Sequence, residues 1–287
     1  MSLMVNRQKY ISFATLIMTA AVRNFWVFIT ALVLLSSCNG YERVLKSNDV
    51  NYKLERANKY YDQKKYPQAN AIYESLIPVM KNTRNYEPLY YRYTYTFYYM
   101  KDYLSASYHF KNFAEFFPKS KEAEECEYMH AYCLFKESPK PSLDQAYTEK
   151  TVGALQTFLN AYPQSKYAPE ANKIIDQCRS KLEIKDADAA KLYYNIGHYK
   201  AASVAYQEVL LEYPGSAKAD YYKYMIVRAW YEYAKESIRS KQEERYANAL
   251  NAYRELKEEY PNSKYITEGN RYYLQADNNI KKLRNEQ

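Results

Sequence analysis

Glycine is scarce in this chain, with five in 287 residues, and no glycine-rich loop exists that could cradle a phosphate. Cysteine (four) and histidine (three) are equally thin. His109, His130 and His198 share no paired spacing, and neither Cys-x-x-Cys nor His-Glu-x-x-His occurs, so nothing marks a metal site. Cys126 and Cys133 are seven residues apart. On one helix that is roughly 10 Å along the axis, too far to bridge. Buried thiols are the expectation, with a bridge from Cys178 left open. Glu124-Glu125 and Glu258-Glu259 read as solvated helix faces rather than acid–base pairs. No catalytic constellation emerges, and the chain is expected not to be an enzyme and to need no metal or diffusible cofactor.

Strand-like alternation is missing too, which excludes an extended sheet and leaves an all-α fold. The net charge of +8 is small for a chain with 26% charged residues. Three of the excess cations, Arg7, Lys9 and Arg23, fall in residues 1–37, which hold no acid. The remainder forms no stripe, so nucleic acid is not an expected partner.

Tyrosine, by contrast, occurs 37 times. Its ring packs a helix interface while its hydroxyl stays in water, which suits a thin layer of paired helices. Much of it lies in a repeated pattern. In 199–216, Tyr199, Ala202, Tyr206, Val209, Leu210 and Tyr213 mark one helix face, and Pro214 ends the helix. The same register recurs from Tyr103 to Pro118, Thr148 to Pro163 and Tyr246 to Pro261, and from Tyr66 to Met80 without the proline. Four aromatic-Pro-x-Ser corners follow, at Phe117, Tyr162, Tyr213 and Tyr260. Proline biases the preceding residue out of the helical region, and the serine is placed to cap the next helix.

Each of these helices has a partner before it. Leu54, Ala57, Tyr60 and Tyr61 precede Tyr66 as Tyr91, Thr94, Phe97 and Tyr98 precede Tyr103, and as Ala187, Ala190, Tyr193 and Tyr194 precede Tyr199. Helix, tight turn, helix and proline resembles the tetratricopeptide repeat. The resemblance implies a right-handed superhelical solenoid of five helix pairs, closed by a capping helix over Tyr265 to Leu283. Insertions are expected in two turns, Lys136 to Gln145 and Lys235 to Glu244.

The start of the chain reads differently. Phe25 to Leu35 is an apolar run of 11 residues, too short for a relaxed membrane span and suited to the core of a secretory signal. It ends in Leu35-Ser36-Ser37-Cys38, which resembles the bacterial lipobox. That implies a signal peptide over 1–37, with Met18 to Cys38 alone enough for a compact one. It also implies diacylglycerol and N-acyl groups on Cys38, and so an anchor without a span. Asn39 in place of Asp argues for the periplasmic face of the outer membrane.

Taken together, the lipobox, Tyr-x-x-Val-Leu-Lys-Ser (41–47), five repeats, Leu-Asp-Gln-x-x-Thr (143–148) and Phe-Leu-Asn-x-Tyr-Pro-x-Ser (158–165) are similar to the BamD family of outer-membrane β-barrel assembly lipoproteins. The tyrosine-rich style is similar to its Bacteroidota members. The resemblance implies a lipidated leader over 38–50, substrate-facing repeats over 51–164, and repeats with a capping helix over 165–287 that face the insertase. It implies unfolded β-barrel precursors and a BamA-like barrel insertase as partners, alongside other assembly-machine subunits. The alternative is another periplasmic tetratricopeptide lipoprotein serving as an adaptor in envelope division or secretion.

Two sets of residues follow as candidates. Tyrosine all round a helix cannot be fully buried, so Tyr60, Tyr61, Tyr91, Arg92, Tyr95 and Tyr98 are expected to line a groove for an aromatic, carboxylate-ended peptide. In the repeat opened by Tyr199, the apolar face is stacking core. Partner contact there is expected from Lys200, Gln207 and Glu208.

Overall fold

The computed structural model describes residues 40–285. The expected signal peptide over 1–37, Cys38 and Asn39 lie outside the described residues. A short helical turn, α1 (40–45), precedes α2 (Val50–Asp62), α3 (Tyr66–Met80), α4 (Tyr86–Tyr99), α5 (Tyr103–Phe116) and α6 (Ala123–Glu137). Then come α7 (Ala146–Ala161), α8 (Ala168–Asn195), α9 (Tyr199–Glu212), α10 (Ala219–Lys235), α11 (Arg239–Glu259) and α12 (Ile266–Asn285). Among the described residues there is no strand. The packing divides into two compact units, one ending at Cys133 and the other beginning at Leu134, so the division falls inside α6.

In the first unit α2 packs on α3, α3 on α4 and α4 on α5, with α4 also reaching back to α2. In the second, the same succession runs from α7 to α12, and α10 also touches α12. This is the packing of stacked helix pairs, in which each element buries its stripe against its sequence neighbours.

The repeated stripe accounts for the core. Ala69, Tyr73 and Leu76, then Ala106, Phe110 and Phe113, then Thr151, Leu155 and Phe158, then Ala202, Tyr206 and Val209, then Ala249, Tyr253 and Leu256 are all buried. In the partner helices Ala57, Thr94 and Ala190 hold one equivalent position, each fully buried. Small residues there let the helix pairs approach closely.

The corners repeat one backbone shape. Phe117, Tyr162, Tyr213 and Tyr260 have φ of −127°, −128°, −122° and −130° and ψ of 59°, 63°, 63° and 59°. Each serine of these corners accepts the amide two residues on, as Ser216 does from Lys218 at 3.0 Å and Ser263 from Tyr265 at 3.1 Å. The serine therefore caps a lead-in turn, and its own carbonyl receives the first helical amide, Ala219 or Ile266, at 3.2 Å.

Three features depart from the sequence expectation. First, Lys235 to Glu244 is not an inserted loop. α10 runs through Lys235, α11 starts at Arg239, and only Glu236, Ser237 and Ile238 link them. Arg, Lys, Gln and Glu are good helix formers, so these polar residues extend α11, and Glu243 is held by Arg284 at 2.7 Å. Second, α8 continues for 28 residues, twice the usual length for this chain, burying Ala171, Ile174, Ile175 and Cys178 before Ala190. Third, Glu125 is half-buried and bonded rather than solvated, as described below.

The other insertion is real, and it is tightly built. Lys181 Nζ donates to Ser138 Oγ at 2.8 Å, Ser138 and Thr148 hydroxyls lie 2.6 Å apart, and Thr148 donates to Gln145 Oε1 at 2.6 Å. Since the Thr148 proton goes to Gln145, Ser138 must donate to Thr148. Gln145, buried, then gives its amide hydrogens to the carbonyls of Lys140 (2.7 Å) and Leu143 (3.1 Å). Asp144 accepts the amide of Ala146 at 3.0 Å at the start of α7. The Leu-Asp-Gln-x-x-Thr motif is thus a loop clamp, in which Leu143 leaves its apolar side chain exposed.

The histidines serve the core. His109 stacks on Phe97 and takes part in a 2.9 Å bond with the Tyr90 hydroxyl, while burial lowers its pKa to about 4. His130 bonds to Ser107 at 2.8 Å. Cys126, Cys133 and Cys178 are all buried, and burial raises the pKa of Cys126 and Cys178.

Candidate peptide groove and partner surface

In the first unit the aromatic face of α4 lies between α2 and α6. Towards α2, Arg92 donates to Asp62 at 3.1 Å and to Asn58 at 3.5 Å, and the Tyr73 hydroxyl donates to the same Asn58 oxygen at 2.7 Å. The guanidinium also sits 5.1 Å over the ring of Tyr61, a cation–π contact that covers a face while Asp62 and Asn58 meet its edge. Towards α6, Tyr91 and Tyr95 are one turn apart and both donate to Glu125. Burial raises the pKa of both phenols, and Glu125 adds to the effect. Tyr98 continues the row, 6.4 Å from Tyr132.

Tyr61, Tyr91 and Arg92 share one cleft of about 540 Å³ with Glu87, Pro88, Phe113, Lys121 and Glu122. Tyr61 and Tyr91, both half-buried, supply an aromatic floor above the fully buried Phe113. Arg92 and Lys121 place two cations on its walls, with Lys121 3.4 Å from Glu122 and largely in water. Such a cleft can take an aromatic ring below and a carboxylate above. Tyr95 and Tyr98 lie along α4 beyond it. Tyr60 is placed elsewhere, edge-on to Tyr41 at 6.0 Å and under Arg56.

Glu125 is the residue of this region that sequence reasoning missed. The available signal was a carboxylate three residues inside the α6 start, facing a helix with tyrosines at one-turn spacing. A paired glutamate on a polar helix gave no reason to choose it.

In the second unit Lys200, Gln207 and Glu208 are all exposed on α9. Lys200 lines a cleft with Tyr193, Val204, Tyr233 and Arg245, whereas Gln207 lines a separate one with Leu211, Trp230, Asn248 and Asn251. Glu208 borders neither. Among the described residues no group of three or more His, Cys, Asp or Glu could hold a metal ion, and no helix is long and apolar enough to cross a membrane.

Stacked pairs of this geometry define a tetratricopeptide-like helical repeat protein, a class that presents surfaces and clefts to other proteins. The chain belongs to the family described as outer membrane lipoprotein (YfiO), whose profile matches residues 46–215 and 186–285. It is similar to the putative outer membrane protein assembly factor BamD of Aquifex aeolicus (strain VF5), 30% identical over 114 residues, which are 40% of this chain and 37% of that protein. It is also similar to the outer membrane protein assembly factor BamD of Caulobacter vibrioides, 29% identical over 98 residues, 34% of this chain and 32% of that one. The matches thus span about a third of these relatives' length. Among solved structures, the TPR2AB domain of yeast Sti1 is 17% identical with a TM-score of 0.36, covering 79% of this chain and 98% of that one. The TPR domain of P58(IPK) is 16% identical with a TM-score of 0.38, covering 88% and 68%. At such scores the fold assignment rests on the helix pairs themselves.

Proposed function

We propose that this protein is the lipid-anchored subunit of an outer-membrane β-barrel assembly machine. Lipidated Cys38 tethers it to the periplasmic face of the outer membrane. The cleft of Tyr61, Tyr91, Arg92 and Lys121 receives the aromatic, carboxylate-ended C-terminus of an unfolded barrel precursor. The repeats from α8 onward, with Lys200, Gln207 and Glu208 in water, dock on a BamA-like insertase. Its work is binding, with no bond made or broken.

The observation that carries this reading is the pairing of an aromatic floor with two cations in one cleft of the first unit. A chain-terminal Phe or Tyr offers the complementary pair, a ring and a carboxylate. The family and the lipobox supply the compartment in which such termini occur unfolded.

The direct test is binding of a peptide ending in Phe to the wild-type chain and to a Tyr91→Ala/Arg92→Ala/Tyr95→Ala variant, with helicity followed by circular dichroism. Weaker binding at unchanged helicity is expected. Equal affinity would remove the groove assignment. Cys38→Ala should release the protein from the membrane fraction, and copurification from solubilised outer membrane should enrich the barrel insertase.

A further inference from the structure

The turn between α2 and α3 suits poorly the helix it opens. Lys65 holds the N-cap position of α3 and makes no side-chain cap there, whereas Asp102, at the same place before α5, accepts the amide of Ser105 at 3.2 Å. A cation at a helix N-terminus opposes the helix dipole and leaves amide donors uncapped. The stability of α3 therefore gives no reason for this lysine.

Lys65 belongs instead to a cluster of cations. Its Nζ lies 5.8 Å from the centre of the Tyr60 ring, and the guanidinium carbon of half-buried Arg56 lies 5.8 Å from the same centre. Tyr41 meets that ring edge-on at 6.0 Å. Lys59, one turn on from Arg56 along α2, and Lys64 stand exposed. Among the described residues these four cationic side chains have no hydrogen-bond or ion-pair partner, and the Nε–H of Arg56 is buried without an acceptor. Like charges gathered on one ring repel, and a buried N–H left unmet is costly, so an anion from outside relieves both.

The nearby carboxylates do not supply it. Glu42 pairs with Lys46 at 3.1 Å, Asp49 caps α2 and Asp62 pairs with Arg92 at 3.1 Å. Glu55 is exposed and pairs with none of the four cations. Residues 40–65 hold seven Lys and Arg against four Asp and Glu, so the segment as a whole attracts anions.

Position selects which anion. Gly40 opens α1, and Tyr41, the next residue, is already part of the cluster. Cys38 precedes Gly40 by two residues, which span at most about 7 Å. A lipidated Cys38 therefore brings this end of the first unit to the lipid headgroups. Tyrosine rings edged with Lys and Arg are the composition that settles at that depth.

We propose that Arg56, Lys59, Lys64 and Lys65, gathered around Tyr60, bind the phosphates of the phospholipid leaflet that receives the acyl groups of Cys38. The proposal rests on the anchor reading of Cys38 and adds to it a second, electrostatic attachment, which fixes how the first unit meets the membrane.

The test uses the full chain as processed in the cell, with cleavage and acylation at Cys38 read by intact mass. It is reconstituted into vesicles of phosphatidylcholine alone, or with about 30% phosphatidylglycerol. Flotation on the neutral vesicles reports the anchor, and amide exchange over 40–66 on the two compositions reports the cluster. Slower exchange on the anionic vesicles, lost at about 0.5 M salt, is expected. In Arg56→Gln/Lys59→Gln/Lys64→Gln/Lys65→Gln the difference between compositions should vanish while flotation persists. Lys59→Gln/Lys64→Gln/Lys65→Gln changes exposed side chains alone, and should lessen the difference even where circular dichroism shows the fourfold variant misfolded. A missing acyl mass removes the anchor reading and this proposal with it. An acylated chain that floats on both vesicles, with equal exchange on the two or a difference that both variants keep, overturns the headgroup site and leaves the anchor standing.

Discussion

Lys101 and Gly197 hold the same backbone shape in equivalent turns, with φ of 64° and 81°. Lys101 closes α4 as Gly197 closes α8, and in both turns the next amide reaches back five residues, Asp102 to Phe97 at 3.0 Å and His198 to Tyr193 at 2.9 Å. Lys64, at 59°, does the same after α2. A side chain costs about 1 kcal/mol or more in this left-handed region. Glycine avoids that but loses more backbone freedom on folding, by up to about 1 kcal/mol. Lys101→Gly is therefore expected to stabilise the first unit by about 0.5 kcal/mol. Gly197→Ala, where an added Cβ meets nothing within 4 Å, is by the same balance expected to cost the second about 0.5 kcal/mol through conformation alone. Urea unfolding of each variant checks both signs.

Why such turns escape a sequence reading is plain from their composition. Gln-Lys-Lys and Met-Lys-Asp carry no residue that demands positive φ, so they read only as short and polar. The stripe was legible because its third, seventh and tenth offsets are buried in all five copies, where volume and polarity are tightly constrained. The eleventh offset is weaker, and it ends with Lys257 in water. The extent of α8 and the start of α11 were not legible, since both depend on charged residues that are content in helix or loop. At the groove, the aromatic set was visible by its density. Its partners, Asn58, Asp62 and Glu125, were not, because a polar residue declares its bond only once the neighbouring helix is in place.

Alkaline pH should unfold this protein through its tyrosines. Burial pushes Tyr73 and Tyr93 up to about 12, and it raises Tyr61, Tyr90, Tyr91 and Tyr95 as well. The unfolded chain ionises near the ordinary value of about 10. Above that pH it releases protons that the folded chain keeps, so the contribution to stability is complete below pH 10 and falls as pH climbs through about 12. Tyrosinate absorbance and helicity should change together in this window. Complete titration near the ordinary value with helicity intact would contradict the burial of these phenols. Glu125→Gln removes a charge that favours the protonated Tyr91 and Tyr95, so part of the absorbance should appear earlier.

On the acid side the sign reverses. His109 is held neutral, its pKa lowered to about 4 by burial, and burial lowers that of His130 too. Their contribution is whole above the ordinary histidine value of about 6.5 and is lost as pH falls from there through about 4. The slope of stability against pH in that range should shrink in His109→Gln, measured as urea midpoints. An unchanged slope would show that another group carries it.

Asp62 occupies the edge of Arg92 that an incoming carboxylate needs. The pair is solvent-exposed, with side chains 37% and 64% accessible for Arg92 and Asp62. Exposed pairs are worth about 0.2–1 kcal/mol, so freeing Arg92 should strengthen binding by up to about fivefold. Asp62→Asn is expected to bind a Phe-terminated peptide more tightly and its amide no better. A gain shared by the amide would point to general loosening of α2 instead.

Gln145 offers the sharpest structural test, because one side chain completes the whole clamp on the loop from Ser138. Its carbonyl ends the relay from Lys181 through Ser138 and Thr148, and its amide hydrogens tie the carbonyls of Lys140 and Leu143. Gln145→Ala removes all three bonds and leaves the buried Thr148 hydroxyl without its acceptor, at about 1–3 kcal/mol for a group left unsatisfied. Gln145→Glu keeps the acceptor for Thr148 and loses both donors, while setting a carboxylate against two carbonyls, so it should be the worse of the two at neutral pH. Acid should then narrow the gap, since protonating the introduced carboxylate restores one donor. Faster amide exchange confined to 138–148 is the expected signature, with the core of α8 still protected. Wild-type exchange in that stretch for both variants would mean that Lys181 and Lys185, which bonds the Leu143 carbonyl at 2.6 Å, hold the loop without the glutamine.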